Sequence, residues 1–461
     1  MEHAKEKYSA EANFNIDTNT LDIAAGRTDP LPPNFYPQIA INRNAPQSLV
    51  PNQKLDFAPR VGFAYNIFKD TVIRGGFGVF YSSYEAGPLS IPNPGNNPPF
   101  FEQANYNTVS FTQPNPIITN LSQGFPLNAL ANPSLPSLFS LDPHFTNPNV
   151  MHWQFSIQQQ LGRNTVFEAA YAGSKGTHLY EFRNVNEVEA TSNPNANYQD
   201  LRNRTYLGDL PYWCACNSST YHSLQTKVEK RLSNGLSFLT AFTFGKSIDE
   251  QSNASLGFHS GGGFRDNNNP EWEKGPSDFD QKYRFVNSLS YSLPFGEGKR
   301  FLNVKGIGNA IVGGWELQGI QSWSSGLPYT ILASVGESNT NGDAEERPNR
   351  VASVSVYPSN QSPNLWFNPA AFTATAFGTY GNAGRNIIYT SPQVDFDTSL
   401  FKDFTLHERA KLQFRAEVFN MFNHPNFRAN SLINQFDAPG AGAYTAAQPA
   451  RQIQFALKLI F

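Results

Sequence analysis

The stretch Arg451-Gln452-Ile453-Gln454-Phe455-Ala456-Leu457-Lys458-Leu459-Ile460-Phe461 closes the chain and decides how the rest is read. Ile453, Phe455, Leu457, Leu459 and Phe461 fall on one parity; Gln452, Gln454, Ala456 and Lys458 fall on the other. Side chains alternate across a strand, so this segment has one apolar face and one mostly polar face. On a soluble sandwich, an exposed terminal edge strand this apolar would invite aggregation. In an outer-membrane barrel the same strand turns its apolar face to lipid and its polar face to the lumen.

The segment before it carries the same two faces. Leu412, Phe414, Ala416 and Val418 share one parity, and Gln413, Arg415 and Glu417 share the other. Three large polar side chains in succession are very costly on a buried sandwich face and are accepted by a water-filled or plugged lumen. Further back, Gln225, Lys227, Glu229 and Arg231 oppose Leu224, Thr226 and Val228. These polar sets are the expected lumen-facing residues. Phe419 and Phe422 suit an aromatic girdle at the outer interface.

Composition agrees with a wall between lipid and water. Charged residues make up 15% of the 461 residues, against roughly 25% in soluble proteins, while aromatics reach 14%. A formal net charge of −3 provides no basic field for nucleic acid. No segment approaches the ~20 apolar residues of a membrane helix, so spanning must be done by strands. The polar start, Met1-Glu2-His3-Ala4-Lys5-Glu6-Lys7, has no apolar signal core, which leads us to expect the carboxy-terminal part of a longer protein.

Taken in order, residues 1–56 are rich in Asn and Pro without sustained period and read as an extracellular loop segment. From 57 to 461, strand-like runs come in pairs. Runs 57–68 and 71–81 meet at Lys69-Asp70; runs 150–161 and 165–173 meet at Gly162-Arg163-Asn164. Runs 221–232 and 236–244 meet at Asn234-Gly235, the strongest short-range hairpin signal. Run 283–293 turns at Pro294-Phe295-Gly296-Glu297-Gly298 toward 315–323, and runs 394–401 and 411–422 turn through Leu406-His407-Glu408. Long connections, 82–149 among them, separate the pairs. Short turns alternating with long loops are the layout of an outer-membrane barrel with periplasmic turns and extracellular loops. About eleven strands of barrel length emerge, and an even total needs an odd number of further strands. The predicted fold is all-β: an antiparallel transmembrane β-barrel of which this chain carries about half of the strands.

No motif points to catalysis. Phe244-Gly245-Lys246-Ser247 imitates the end of a phosphate loop, but Thr240 stands where its first glycine belongs. Gly75-Gly76-Phe77-Gly78 lacks the last glycine of a dinucleotide fingerprint; glycines in a strand more often mark a bend or a close approach. His3, His144, His152, His178, His222, His259, His407 and His424 show no metal spacing. Asp278 and Asp280, near Asp266-Asn267-Asn268-Asn269, offer oxygen ligands for calcium, but a solvated loop is the better reading. Cys214 and Cys216 lack the second pair of a zinc site; a loop-tip disulfide and two idle thiols both stay open. No nucleophile–base set stands out, so no enzyme and no cofactor is expected.

Four segments carry a resemblance. They are Phe57-Ala58-Pro59-Arg60-Val61-Gly62-Phe63-Ala64-Tyr65, Arg74-Gly75-Gly76-Phe77-Gly78-Val79-Phe80-Tyr81 and Asp278-Phe279-Asp280-Gln281-Lys282-Tyr283-Arg284-Phe285. The fourth is Arg415-Ala416-Glu417-Val418-Phe419-Asn420-Met421-Phe422-Asn423-His424-Pro425. Together they resemble the carboxy-terminal barrel of TonB-dependent receptors of the Oar-like subgroup. The resemblance implies a plugged barrel of about twenty-two strands and uptake energised by an inner-membrane TonB complex acting on an amino-terminal plug. Phe455, Leu457, Leu459 and Phe461 resemble the terminal signal read by barrel-assembly machinery. The chain departs from the family in showing no plug, TonB-contacting box, signal peptide or amino-terminal sandwich domain.

The expected function is that of an outer-membrane receptor of a Gram-negative-type bacterium. It would bind a small-molecule, glycan or peptide substrate at extracellular loops and admit it to the periplasm. A passive porin-like channel is the alternative. A soluble β-rich adhesin or carbohydrate-binding module explains the aromatics but not the paired parities. Neither charge nor loop chemistry selects the substrate.

Overall fold

A computed structural model describes residues 10–31, 38–50, 53, 55–82, 94–101, 135–252, 263–334, 338–340, 345–407 and 410–461. Most of the expected loop 82–149 lies outside these residues, as do Glu408 of the expected turn, His3 and His259. Eleven long strands form one antiparallel sheet in which sequence neighbours are spatial neighbours. They are β1 (Arg60–Phe68), β2 (Thr71–Tyr81), β3 (Asn149–Leu161), β4 (Thr165–Asn184), β5 (Pro211–Ser233) and β6 (Leu236–Asp249). Then come β7 (Tyr283–Ser292), β8 (Trp315–Ser324), β9 (Gln393–His407), β10 (Ala410–Phe419) and β11 (Gln452–Ile460). The sheet is open: β1 and β11 are its two edges.

Local chemistry fixes the hairpins. Asn234 and Gly235 both take positive φ, 51° and 78°, the pairing a type I′ turn needs to match strand twist. A Cβ on Gly235 would lie 2.9 Å from the Ser292 carbonyl oxygen, so this position also demands glycine for space. The β7–β8 connection has the length the sequence suggested but more structure than a turn. It covers 293–314 and holds a short helix, Ile307–Val312. Lys402 Nζ donates to the carbonyl oxygens of Ile311 and Gly313 at the end of that helix.

The ladder register makes the two faces continuous across the sheet. Leu412 stands opposite Leu459, Phe414 opposite Leu457, Ala416 opposite Phe455 and Val418 opposite Ile453. At the other edge Val61 pairs Phe77, which pairs Trp153, and Tyr65 pairs Ile73, which pairs Ile157. A one-residue slip anywhere would have broken this agreement. The apolar face is open: Phe455 is 70% exposed, Leu457 69% and Val61 68%. Among the described residues, the fully buried hydrophobic side chains lie instead in the segment before β1, in the long connections and in the stretch 212–215 of β5. A sheet whose apolar side chains face outward, with its buried clusters confined to one end, is built for a lipid surround.

The glycines of β2 and β4 make room for rings on that face. A Cβ on Gly75 would meet the Phe63 ring at 2.3 Å, and one on Gly173 the Trp153 indole at 2.5 Å. These are close approaches between paired strands, one of the two uses expected of strand glycines.

The segment before Phe57 is more ordered than its lack of period suggested. Residues Ala12–Asn15, Thr20–Ala24 and Ala40–Ala45 form a three-stranded sheet. Phe14, Leu21 and Ile23 are buried with Leu138, Leu207 and Leu210 from two long connections. Asparagine amides tie the pieces together. Asn13 Nδ2 donates to the Leu141 carbonyl at 2.8 Å, and Leu141 N donates to Asn13 Oδ1 at 2.6 Å. An Asn side chain carries a donor and an acceptor like a peptide group, so it substitutes for a ladder without requiring alternation.

Candidate functional site

The polar face and the loops above it hold the groups able to engage a solute. On β5, Gln225, Lys227 and Glu229 pair across the ladder with Ala170, Glu168 and Val166 of β4. Lys227 Nζ lies 3.5 Å from Glu168, and Arg231 Nε lies 3.9 Å from Glu229. On β10, Arg415 Nε donates to Gln413 Oε1 at 2.8 Å, and Gln413 Nε2 donates to Asp403 Oδ1 at 2.9 Å. Arg415 also lies 3.9 Å from Glu417 and 4.7 Å over the Phe401 ring. Gln413, Arg415 and Glu417 stand opposite Lys458, Ala456 and Gln454. The two predicted polar sets thus share one face of one sheet, on separate strands β5 and β10 with β6 to β9 between them.

Phe419 departs from its expected place. Register puts it opposite Gln452, on the parity of Gln413 and Glu417, rather than on the apolar side. It lines a concavity of about 460 Å³ with Ser322, Asp395, Asp397, Asn420 and Gln452. Phe422 instead packs edge-to-face on Phe396 at 5.0 Å, and Phe396 pairs with Gln321 on the parity of Trp323.

At the long-loop end, buried charge replaces the solvated loop expected around Asp278 and Asp280. Asp280 is 2% exposed. It accepts from Lys246 Nζ at 3.0 Å, from Tyr389 OH at 2.6 Å and from Ser247 N at 2.6 Å. Lys246 is therefore a strand residue that neutralises a buried carboxylate, and the Phe244-Gly245-Lys246-Ser247 run lies within β6. Burial first, then Asp280, pushes the Tyr389 hydroxyl far above its usual value. Asp278 Oδ1 accepts from Asn386 Nδ2 at 2.7 Å and from Arg385 Nη1 at 3.2 Å. Arg385 also binds Asp249, the Glu273 carbonyl at 2.8 Å and Ser252 at 3.2 Å. These oxygens are committed to cations and amides of the protein itself.

A second buried pair sits beside it. Arg347 donates to Glu273 and Glu345, all three nearly without solvent exposure. Burial pushes the Glu345 carboxyl up to about 7, against the pull of Arg347. Arg265 lies 4.6 Å over the Trp272 ring and donates to the Gly381 carbonyl at 2.9 Å. With Thr379 and Tyr380 they line a concavity of about 570 Å³. Sequence reasoning missed Arg347, Arg385 and Trp272, because their contacts with Glu273, Asp249 and Tyr380 join residues far apart in the chain. The cysteines form a Cys214–Cys216 disulfide, placed within β5 rather than at a loop tip.

The chain matches, over residues 1–454, the family model described as the outer membrane beta barrel domain. The chain belongs to that family. This outer membrane beta barrel domain therefore resides in the cell outer membrane, and its open antiparallel sheet is transmembrane barrel wall. No curated protein matches the chain. Among solved structures it is similar to the outer membrane transporter YddB from Escherichia coli. That match has 12% identity and TM-score 0.43, and covers 86% of this chain and 39% of that one. It is also similar to a mutant of the ferric enterobactin receptor PfeA from Pseudomonas aeruginosa, at 12% identity and TM-score 0.42, covering 88% and 40%. The siderophore receptor PirA from Acinetobacter baumannii matches at 9% identity and TM-score 0.43, covering 88% and 41%. This outer membrane beta barrel domain spans about two fifths of the length of these structures.

Proposed function

We propose that the polar face of the sheet lines the lumen of an outer-membrane receptor. In this reading the receptor binds a small molecule, glycan or peptide at its long loops and admits it in a TonB-dependent manner. The observation that carries the reading is the pairing of two devices in one chain: a polar face continuous in register, and above it loops locked by buried ion pairs. A bare pore needs only the first. Gln225, Lys227, Glu229, Arg231, Gln413, Arg415 and Glu417 face the lumen in this reading, while Phe455, Leu457, Leu459 and Phe461 face lipid and present the assembly signal. Residues 1–56 form an extracellular segment and 57–461 the carboxy-terminal barrel of an Oar-like receptor. Further strands and a plug complete the ring, and the barrel-assembly machinery and TonB complex are the partners. The open sheet edges at β1 and β11 support that completion.

Planar-bilayer recording on the full-length protein tests the reading. A plugged receptor is expected to stay closed at rest and to open only when the plug is removed or disordered. A steady resting conductance would favour the passive channel instead.

A further inference from the structure

The outer part of β4 and β5 brings a carboxylate distant in sequence up to the close cysteine pair. Glu181 stands directly across the ladder from Cys214, and the potential ligand atoms of Glu181, Cys214 and Cys216 all lie within 4.8 Å of one another. An irregularity in the pairing produces this convergence. Between two successive paired positions, Leu179 to Glu181 covers two residues of β4 while Asn217 to Cys214 covers three of β5. The contraction leaves the Cys214 and Cys216 Cα atoms 5.3 Å apart, where a regular strand of ~3.3 Å per residue sets alternate residues ~6.6 Å apart. Both thiols therefore project to one side at chelating separation. Glu181 is buried and held by Arg183 at 2.9 Å; Cys214 is buried; Cys216 is exposed and gives a path inward.

We propose that Cys214, Cys216 and Glu181 form a binding site for a thiophilic cation such as Zn(II), masked by the disulfide and opened when that bond is reduced. The reductant is an external monothiol. Two such thiols cleave the sulfur–sulfur bond, leaving two protein thiols and one small-molecule disulfide. The cation then displaces the two thiol protons and gains two thiolates and a carboxylate. Thiolate donors select soft or borderline metals over magnesium and calcium. Three protein ligands leave a fourth position open for water or a transported group.

The test uses the full-length protein in detergent, reduced with a monothiol and desalted without oxygen. Co(II) serves as the probe and Zn(II) as the competitor. The expected result is a thiolate-to-Co(II) charge-transfer absorption that saturates at one equivalent and is abolished by Zn(II). It is absent from the oxidised protein and from Cys216→Ser, a change at an exposed position. Glu181→Gln should raise the Kd by more than the roughly 10–100-fold that losing a merely supporting group costs. Heat-modifiable migration checks that each sample remains folded. No absorption in reduced, folded protein overturns the site. An affinity unchanged by Glu181→Gln overturns the three-ligand set, and unfolding on reduction overturns the masked-site idea altogether.

Discussion

Replacing Ala416 by arginine sets a cation on the face that Leu400 and Phe455 share with it, while replacing Arg415 by alanine removes one from the opposite face. A guanidinium stays charged at any accessible pH, and facing lipid near the midplane it costs about 2–4 kcal/mol. The Arg415 losses are smaller. Its pair with Glu417, at 3.9 Å and with side chains 38% and 20% exposed, is screened and contributes about 0–1 kcal/mol. The bond to Gln413 contributes about 1 kcal/mol, and the contact with the Phe401 ring about 0.5–1 kcal/mol. These terms overlap, and water on the polar face re-solvates Gln413 and Glu417. Arg415→Ala should therefore cost about 1 kcal/mol. The assay is reversible urea unfolding of the full-length protein refolded into vesicles, followed by heat-modifiable migration. We expect Ala416→Arg to be the more damaging change, with a gap that does not move with pH. If Arg415→Ala proves worse, the strand has been assigned inside out.

Three further outcomes follow from the same geometry. In intact cells an impermeant maleimide should label Asn364→Cys in a long loop and spare Asp70→Cys in a tight turn; labelling of Asp70→Cys alone would reverse the orientation. Deleting Phe461, or adding one residue after it, should leave secretion intact but strand much of the protein in the periplasm, read as protease sensitivity. Normal outer-membrane yield for both would count against the terminal aromatic as an assembly handle. Glu345 titrates near 7 when folded and at its usual value of 4.5 when unfolded, so its contribution is complete below about 4.5 and lost as pH rises through about 7. Amide-exchange protection at 345–350, corrected for intrinsic rates, should fall between about pH 5 and about pH 8 and should be flat in Glu345→Gln.

All eleven wall strands were legible from alternation, because a strand between lipid and water writes its two surroundings into every second residue. Turns at Asn234-Gly235 and Lys69-Asp70 were legible because local backbone geometry specifies them. Strand length was not. β4 and β5 run on past Gly173 and start before Tyr221, where both faces meet protein or water and alternation fades. The small sheet before residue 50 escaped notice because Asn13 and Asn97 satisfy neighbouring backbone with side-chain amides, which leave no period in the sequence. Arg347 and Arg385 were invisible for another reason. Each has a carboxylate partner 74 or 136 residues away, at Glu273 and Asp249, which the folded chain alone brings close. Phe419 was placed on the apolar side by its chemistry, whereas the register gives the position to its parity.

Arg385 has a mechanical consequence. Its guanidinium is fastened at once to the end of β6 through Asp249, to the β6–β7 connection through Asp278 and to the helical turn at 270–273 through the Glu273 carbonyl. The arginine itself rides on the β8–β9 connection, so two loops and a strand end share one rivet. A solute that pries up either loop must shear that rivet, leaving Asp249 with the Ser252 hydroxyl in place of a cation where water does not reach. Small tugs are resisted and large ones yield all at once. Loops joined this way transmit a pull on one as displacement of both, down to the rim of the wall where β6 ends its crossing.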